Sequence, residues 1–278
     1  MSSAAHTNAE RFERILEIMR RLRGPGGCPW DREQTHASLL TSFTEELYEY
    51  IEAVEDGNDA AMRDELGDLC LHIVFQAQIA EERGAFSIAQ VLDGLAEKLI
   101  RRHPHVFGDA TAGTAAEVLH NWEQIKKREH THAARQSLVD GVPRHLPALA
   151  KARKVQHNVQ KAGFDWNNVH EALAKVDEEL GELRAAIAAG RDDHVKEELG
   201  DLLFSIVNVA RFVQVEPERA LHRTVEKFMR RFRKIEERLA LRGSSPAAST
   251  LAEMDALWNA IKAEEKTSAA TSERSAQS

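Results

Sequence analysis

Apolar positions along this chain recur with a helical period, not the alternation of a strand. Phe43, Leu47, Tyr50, Ile51 and Val54 are spaced by three and four residues, and so are Val176, Leu180, Leu183 and Ile187. This spacing predicts amphipathic helices over about residues 38–54 and 169–188. Two strongly apolar stretches follow, LCLHIVF from Leu69 and LLFSIVN from Leu202, placing further helices over about 60–82 and 192–212. EDGNDA and AAGRDD separate the members of each pair, and such turn-forming residues predict an antiparallel helical hairpin each time.

The two hairpins belong to a longer repeat. EELYE (Glu45 to Glu49) matches EELGE (Glu178 to Glu182), and DELGD (Asp64 to Asp68) matches EELGD (Glu197 to Asp201). KLIRR from Lys98 matches KFMRR from Lys227, and WEQIK from Trp122 matches WNAIK from Trp258. Nineteen residues separate Glu46 from Glu65, and nineteen separate Glu179 from Glu198. Four motifs in one order at an offset near 133 residues indicate a tandem duplication. The expected architecture is all-α, with two domains of four or five helices: residues 10–130, a linker over 131–147 carrying Gly141, Pro143 and Pro147, and residues 148–265. The polar stretch 266–278 is expected to be a disordered tail.

Composition supports this reading. Of 278 residues, 42% are hydrophobic, 29% charged and only 6% aromatic, with few Gly and Pro, which favours helices over sheets. A net charge of −8 argues against a general nucleic-acid binder. Cys28 and Cys70 are the only cysteines, so no disulfide framework is indicated and a reducing compartment fits. The opening residues lack the apolar core of a signal peptide, and no run is long enough to span a bilayer. A soluble, cytoplasmic protein is therefore expected.

The carboxylates change the picture most. On a helical wheel, Glu46 and Glu49 flank the apolar stripe of the first hairpin, and Glu179 and Glu182 take the same positions in the second. Glu65 and Asp68, like Glu198 and Asp201, are spaced i, i+3 at the start of the following helix and share a face. Closing each hairpin collects four carboxylates, which need a cation. Hard oxygen ligands with no Cys or His in the pattern select Mg²⁺, or Mn²⁺, over zinc. Di-iron bundles would carry Glu-x-x-His, and here the i+3 partner is Asp. His72 lies beside the first cluster, but its counterpart is Ser205, so it reads as a packed histidine. The repeated K-x-x-R-R of Lys98, Arg101 and Arg102 and of Lys227, Arg230 and Arg231 suits phosphate clamping. Trp122 with Lys126, and Trp258 with Lys262, suit a stacked base beside a phosphate.

EExxE followed by ExxD across a helical hairpin resembles the MazG-type all-α nucleoside triphosphate pyrophosphohydrolases, in their tandem form. GCPWD (Gly27 to Asp31), RRHPHVF (Arg101 to Phe107), GFDW (Gly163 to Trp166) and KFMRRF (Lys227 to Phe232) extend the resemblance over roughly residues 10–265. It implies Mg²⁺-dependent cleavage of a nucleoside triphosphate to the monophosphate and pyrophosphate by a homodimer, for housecleaning or nucleotide-pool control. Carried onto this chain, it implies Glu179, Glu182, Glu198 and Asp201 as metal ligands. Lys175, Lys196, Lys227, Arg231, Trp258 and Lys262 would line the nucleotide site. Lys175 lies one turn before Glu179, where the first copy has the uncharged Ser42 before Glu46. The second copy is thus expected to be the main catalytic site, and Glu46, Glu49, Glu65 and Asp68 a weaker, regulatory or structural metal cluster. Glu178 is a candidate general base, although its wheel angle points away from the cluster. Other readings are a narrow pyrophosphatase for dUTP or a damaged nucleotide, a phosphoribosyl-ATP pyrophosphohydrolase (expected to be a shorter, single-copy chain), and a non-catalytic nucleotide sensor or scaffold.

Overall fold

A computed structural model describes residues 6–129 and 137–276. Among them every regular element is helical, and they divide into two compact units, one on each side of the undescribed stretch 130–136. The first six residues of the expected linker, and the last two of the expected tail, lie outside the described residues.

In the first unit, α1 (Asn8–Arg23) opens on a capping box in which Thr7 and Glu10 satisfy each other's backbone N–H. The short α2 (Pro29–Glu33) leads to the hairpin of α3 (Leu40–Glu55) and α4 (Asp59–Glu82). The unit continues through α5 (Ile88–Arg102), α6 (Pro104–Phe107) and α7 (Ala115–Arg128). Its core is Leu16 and Met19 of α1, Leu39, and Val74, Phe75 and Ile79 of α4. Arg23 closes one side of that core, its guanidinium over the Phe75 ring and paired with Glu82 at 2.7 Å.

The second unit repeats the hairpin. It holds α8 (Ala148–Gln160), α9 (Val169–Ala188), α10 (Asp192–Phe212), α11 (Pro217–Leu241) and α12 (Leu251–Ala276). Asn168 caps α9 by accepting from the N–H groups of His170 and Glu171. Ile235, Leu239, Leu257 and Ile261 form a separate core between α11 and α12.

Both hairpins turn in the same way. Gly57 and Gly190 adopt φ of 64° and 65°, a region open to glycine without strain. The following N–H groups reach back five residues, Asn58 to Ala53 and Arg191 to Ala186, and close both first helices with the same motif. The turn returns the second helix antiparallel onto the first, which brings EExxE opposite ExxD.

Two expectations change here. The stripes read as buried are half-open: Leu47, Val54 and Ile187 are exposed, and the innermost residues of α9 are Ala172, Glu179 and Ala186. The innermost positions of α9 thus go to two alanines and Glu179, which brings a carboxylate into the hairpin interior, while Leu180 and Leu183 are half-buried. The second change is at the C-terminal end, where α12 continues to Ala276 through residues expected to be a disordered tail. Its Ala, Glu, Lys and Arg residues favour helix and carry α12 onward from its packed first turns.

Candidate metal centre

Carboxylate oxygens of Glu179, Glu182 and Glu198 lie within 4.8 Å of one another in the second unit. Glu179 and Glu198 are only 6% and 7% exposed, so the charges are held inside the hairpin. Burial, then Glu198 and Glu179, push the Glu182 carboxyl above its usual range. One cation is already present. Lys175 Nζ lies 2.8 Å from an oxygen of Glu178 and 2.8 Å from one of Glu179, and these two carboxylates raise its pKa well above the ordinary lysine range. The sequence places Lys175 one turn before Glu179, and the structure brings it to the cluster.

The first unit gathers Glu46, Glu49 and Glu65 within the same distance limit. Burial, then Asp68 and Glu49, raise Glu46, and burial, then Glu49 and Glu46, raise Glu65. Glu65 Oε2 is buried without a hydrogen-bond partner, an orphaned acceptor facing its neighbours' negative charge. His72 is buried and stacked on Phe43, ring centroids 5.1 Å apart, which fits its reading as a packed histidine. In both units the donor set is oxygen alone, with like charges crowded together. It fits a hard divalent cation.

The fourth expected ligand stands beside each triad. Asp201 lines the same cavity as Glu179 and Lys175, and Asp68 acts on Glu46 and Glu65 as a neighbouring charge. Glu178 is exposed, shares Lys175 with Glu179, and acts on Glu182 as a neighbouring charge. Lys196 is not brought to the cluster: it pairs with Asp193 at 2.9 Å on the exposed side of α10. His194 is there instead, its Nε2 3.2 Å from Glu198. Its position four residues before Glu198 on one helix was the available signal.

The basic and aromatic residues form their own cluster. Arg231 pairs with Glu265 at 2.8 Å and lies over the Trp258 ring, while Arg230 approaches Glu265 at 3.8 Å. Trp258 packs against Phe228 at the α11–α12 core, and Lys227 and Lys262 are exposed on those helices. None of these five residues lines the cavity beside Glu179. Within one chain, Glu265 and Trp258 hold the arginines that sequence spacing assigns to phosphate. The first unit matches the arrangement: Arg101 and Arg102 bind Glu129, at 3.0 Å for Arg101, and Arg102 and Lys126 lie over Trp122. The two arginines depress the Glu129 carboxyl to about 2.

Sequence reasoning missed the cavity itself. A space of about 460 Å³ opens between α8, the Gly163–Trp166 turn, α9 and α10, and meets the carboxylates at Glu179 and Asp201. GFDW is the signal that could have found it, since Gly163, Phe164, Asp165 and Trp166 all line it.

Comparison with known sequences decides the family. The MazG nucleotide pyrophosphohydrolase domain matches twice, at residues 34–107 and 167–235, each match spanning one carboxylate hairpin. The chain belongs to the MazG family. It is 44% identical over 257 residues to the nucleoside triphosphate pyrophosphohydrolase/pyrophosphatase MazG of Thermotoga maritima, covering 92% of this chain and 97% of that one. It is 43% identical over 260 residues to the nucleoside triphosphate pyrophosphohydrolase of Escherichia coli K12, covering 92% and 98%. A solved mazG-related protein from Thermotoga maritima matches 42% of this chain and 99% of its own, at 29% identity and a TM-score of 0.37. Each MazG match falls within one of the two units, so the duplication read from four short motifs is a duplication of a MazG domain.

Proposed function

We propose that this MazG protein hydrolyses nucleoside triphosphates to the monophosphate and pyrophosphate in the presence of Mg²⁺, chiefly at the second unit. The observation that carries the reading is the triad of buried Glu179 and Glu198 with exposed Glu182, with Lys175 at 2.8 Å from Glu179, opening on a cavity large enough for a nucleoside. The names of the relatives agree with it.

Glu179, Glu182, Glu198 and Asp201 would hold Mg²⁺, with Mn²⁺ as a substitute. When bound, the ion supplies Lewis-acid polarisation of phosphoryl oxygens and lowers the pKa of bound water. The chain's own groups bind and orient the substrate. Lys175, the cation nearest the cluster, neutralises charge on the phosphates, and Glu179 and Glu198 keep the inner end of the site dry by their burial. Glu178 is the candidate base, acting from the far side of Lys175.

Unit 1 has Ser42 where unit 2 has Lys175, and its carboxylates are assigned metal binding with weak or no turnover. A second copy of the chain completes the assembly in this reading. Leu199, Leu203 and Ile206 of α10, and Leu221, Val225 and Phe228 of α11, form exposed apolar stripes at helical spacing, the signature of a protein interface. Lys227, Arg230, Arg231, Trp258 and Lys262 sit with the second of these stripes, and they reach the triphosphate through that assembly. Housecleaning of unwanted nucleotides and control of the nucleotide pool both follow from the reaction, in the cytoplasm.

The test is pyrophosphate release from a panel of canonical, deoxy and modified triphosphates, for wild type and Asp201→Ala. Release by the wild type, lost in the variant, supports the reading. Nucleotide binding without release by the wild type would convert the protein to a sensor, and release from dUTP or one damaged nucleotide alone would narrow it.

A further inference from the structure

Each copy of the duplication carries a glutamate seven residues after its tryptophan, Glu129 after Trp122 and Glu265 after Trp258. Neither belongs to a carboxylate triad. In the structure each meets the last arginine of its own K-x-x-R-R segment.

The contact has the same geometry twice. Arg231 donates from Nε to Glu265 Oε2 at 2.9 Å, with Nη2 2.8 Å from the same oxygen, and its guanidinium lies over the Trp258 ring at 5.2 Å. Arg102 turns the same edge, Nε at 3.0 Å and Nη2 at 2.5 Å, to Glu129 and lies over the Trp122 ring at 5.0 Å. A carboxylate at one edge and an indole against one face leave a guanidinium little freedom to turn. Its other N–H groups point away from the glutamate, and Nη1 has no hydrogen-bond partner among the described residues in either arginine. A guanidinium edge of that kind suits phosphate oxygens.

The charges around Glu265 are not those of a simple clamp. Arg230 at 3.8 Å and Lys234 at 3.6 Å also face it, so three cations share one carboxylate. Lys227 and Lys262, exposed on the same two helices, form no ion pair among the described residues. In a chain of net charge −8 this is a local surplus of positive charge. The α11–α12 pair does not need the contact to hold together, since Ile235, Leu239, Leu257 and Ile261 are already its core. Glu265 leaves the cluster cationic and fixes the direction of one guanidinium within it.

We propose that Glu265 is a positioning residue for phosphate binding, holding Arg231 against Trp258 with its unpaired edge presented to the triphosphate. This rests on the pyrophosphohydrolase reading, which supplies the triphosphate, and adds how the arginine is made ready for it. An arginine ordered beforehand loses less side-chain freedom when the phosphate arrives. Glu265 also repels that phosphate, so its charge and its positioning act in opposite senses, and neutral variants separate the two.

The test is calorimetric titration of the full chain in Mg²⁺ with inorganic tripolyphosphate, a probe with neither base nor sugar. Glu265→Gln removes the charge and keeps an oxygen that accepts from Arg231, whereas Glu265→Ala removes both. Glu265→Ala is expected to bind tripolyphosphate about fivefold more weakly than Glu265→Gln, the scale of ordering one long side chain. Arg231→Ala is expected to weaken binding at least as much, and to abolish the difference between the two position-265 variants when combined with each. Mg²⁺ titrated alone should bind every variant as it binds the wild type, because the carboxylate triad is untouched, and circular dichroism at the assay temperature reports folding. Equal affinity of Glu265→Gln and Glu265→Ala overturns the inference, even where Glu265→Ala melts at a lower temperature, because that is the behaviour of a clamp between helices. A difference that persists without Arg231, or that is matched by a loss of Mg²⁺ binding, overturns it as well. Pyrophosphate release by the wild type, measured separately, decides the enzymatic reading; release without a difference between the two variants removes the role of Glu265 alone.

Discussion

Neutralising one carboxylate of the second cluster has a calculable effect on stability. The perturbation is Glu198→Gln, which keeps shape and the contact with His194 while removing one of three charges whose oxygens lie within 4.8 Å. At that separation one pair of like charges repels by about 0.9 kcal/mol at the dielectric of water and about 3.5 kcal/mol at an effective dielectric near 20. Glu198 takes part in two of the three pairs, so its neutralisation relieves at least about 2 kcal/mol in the metal-free protein. Glu182 is exposed, which favours the lower figure. With an unfolding entropy of about 2.1 cal/mol/K per residue and a unit of roughly 140 residues, the transition of unit 2 should rise by about 7 °C. Differential scanning calorimetry at pH 8, in chelator and then in excess Mg²⁺, is the assay. In chelator the variant should be the more stable protein. In Mg²⁺ the order should reverse, because at 100 times its dissociation constant an ion adds about 2.7 kcal/mol to the form that binds it. A wild type as stable as the variant in chelator, and indifferent to Mg²⁺, would refute the charge-repulsion argument.

The remaining predictions concern other parts of the chain. Glu179→Ala should lower pyrophosphate release by at least about a hundredfold, the scale for losing a preorganised electrostatic group, whereas Glu46→Ala should leave most of it; the opposite ranking in a steady-state assay would move the active site to unit 1. Glu129, held near 2 by Arg102 and Arg101, contributes stability that is fully present above the ordinary carboxylate range and is lost as pH falls from about 4.5 towards about 2. Urea melts of wild type and Glu129→Gln between pH 6 and 3 should therefore converge, and parallel curves would count against the pair. Ile261 is fully buried between α11 and α12, so Ile261→Ala should cost roughly 2–5 kcal/mol in denaturant melts.

How much was legible depended on how far apart in sequence the interacting groups are. Glu46 with Glu49, Glu65 with Asp68 and Lys175 with Glu179 are separated by one helical turn, and helix geometry alone puts each pair on a common face. The hairpin turns were equally readable, since Gly57 and Gly190 occupy the one backbone region that marks them. The apolar stripes were misread as buried because a wheel shows which residues share a face without showing which face meets the neighbouring helix. Lys196 and His194 are a different case: His194 stands one turn before Glu198 and shares its face, whereas Lys196, two residues before it, does not, so helical spacing could have selected the histidine.

The linear sequence by itself determined the all-helical class, the duplication and the two carboxylate hairpins, because each depends on periodicity and spacing that every copy of the chain must obey. The tertiary structure decided what lies around them. Arg231 meets Glu265 and Trp258 across the α11–α12 pair. Gln156 meets the Phe204 carbonyl forty-eight residues away, and Asp165 meets Arg211 across forty-six. Contacts of that separation depend on which helix faces come together. Local periodicity carries no information about that choice, and so the cavity, unlike the carboxylates, became visible only once the helices were packed.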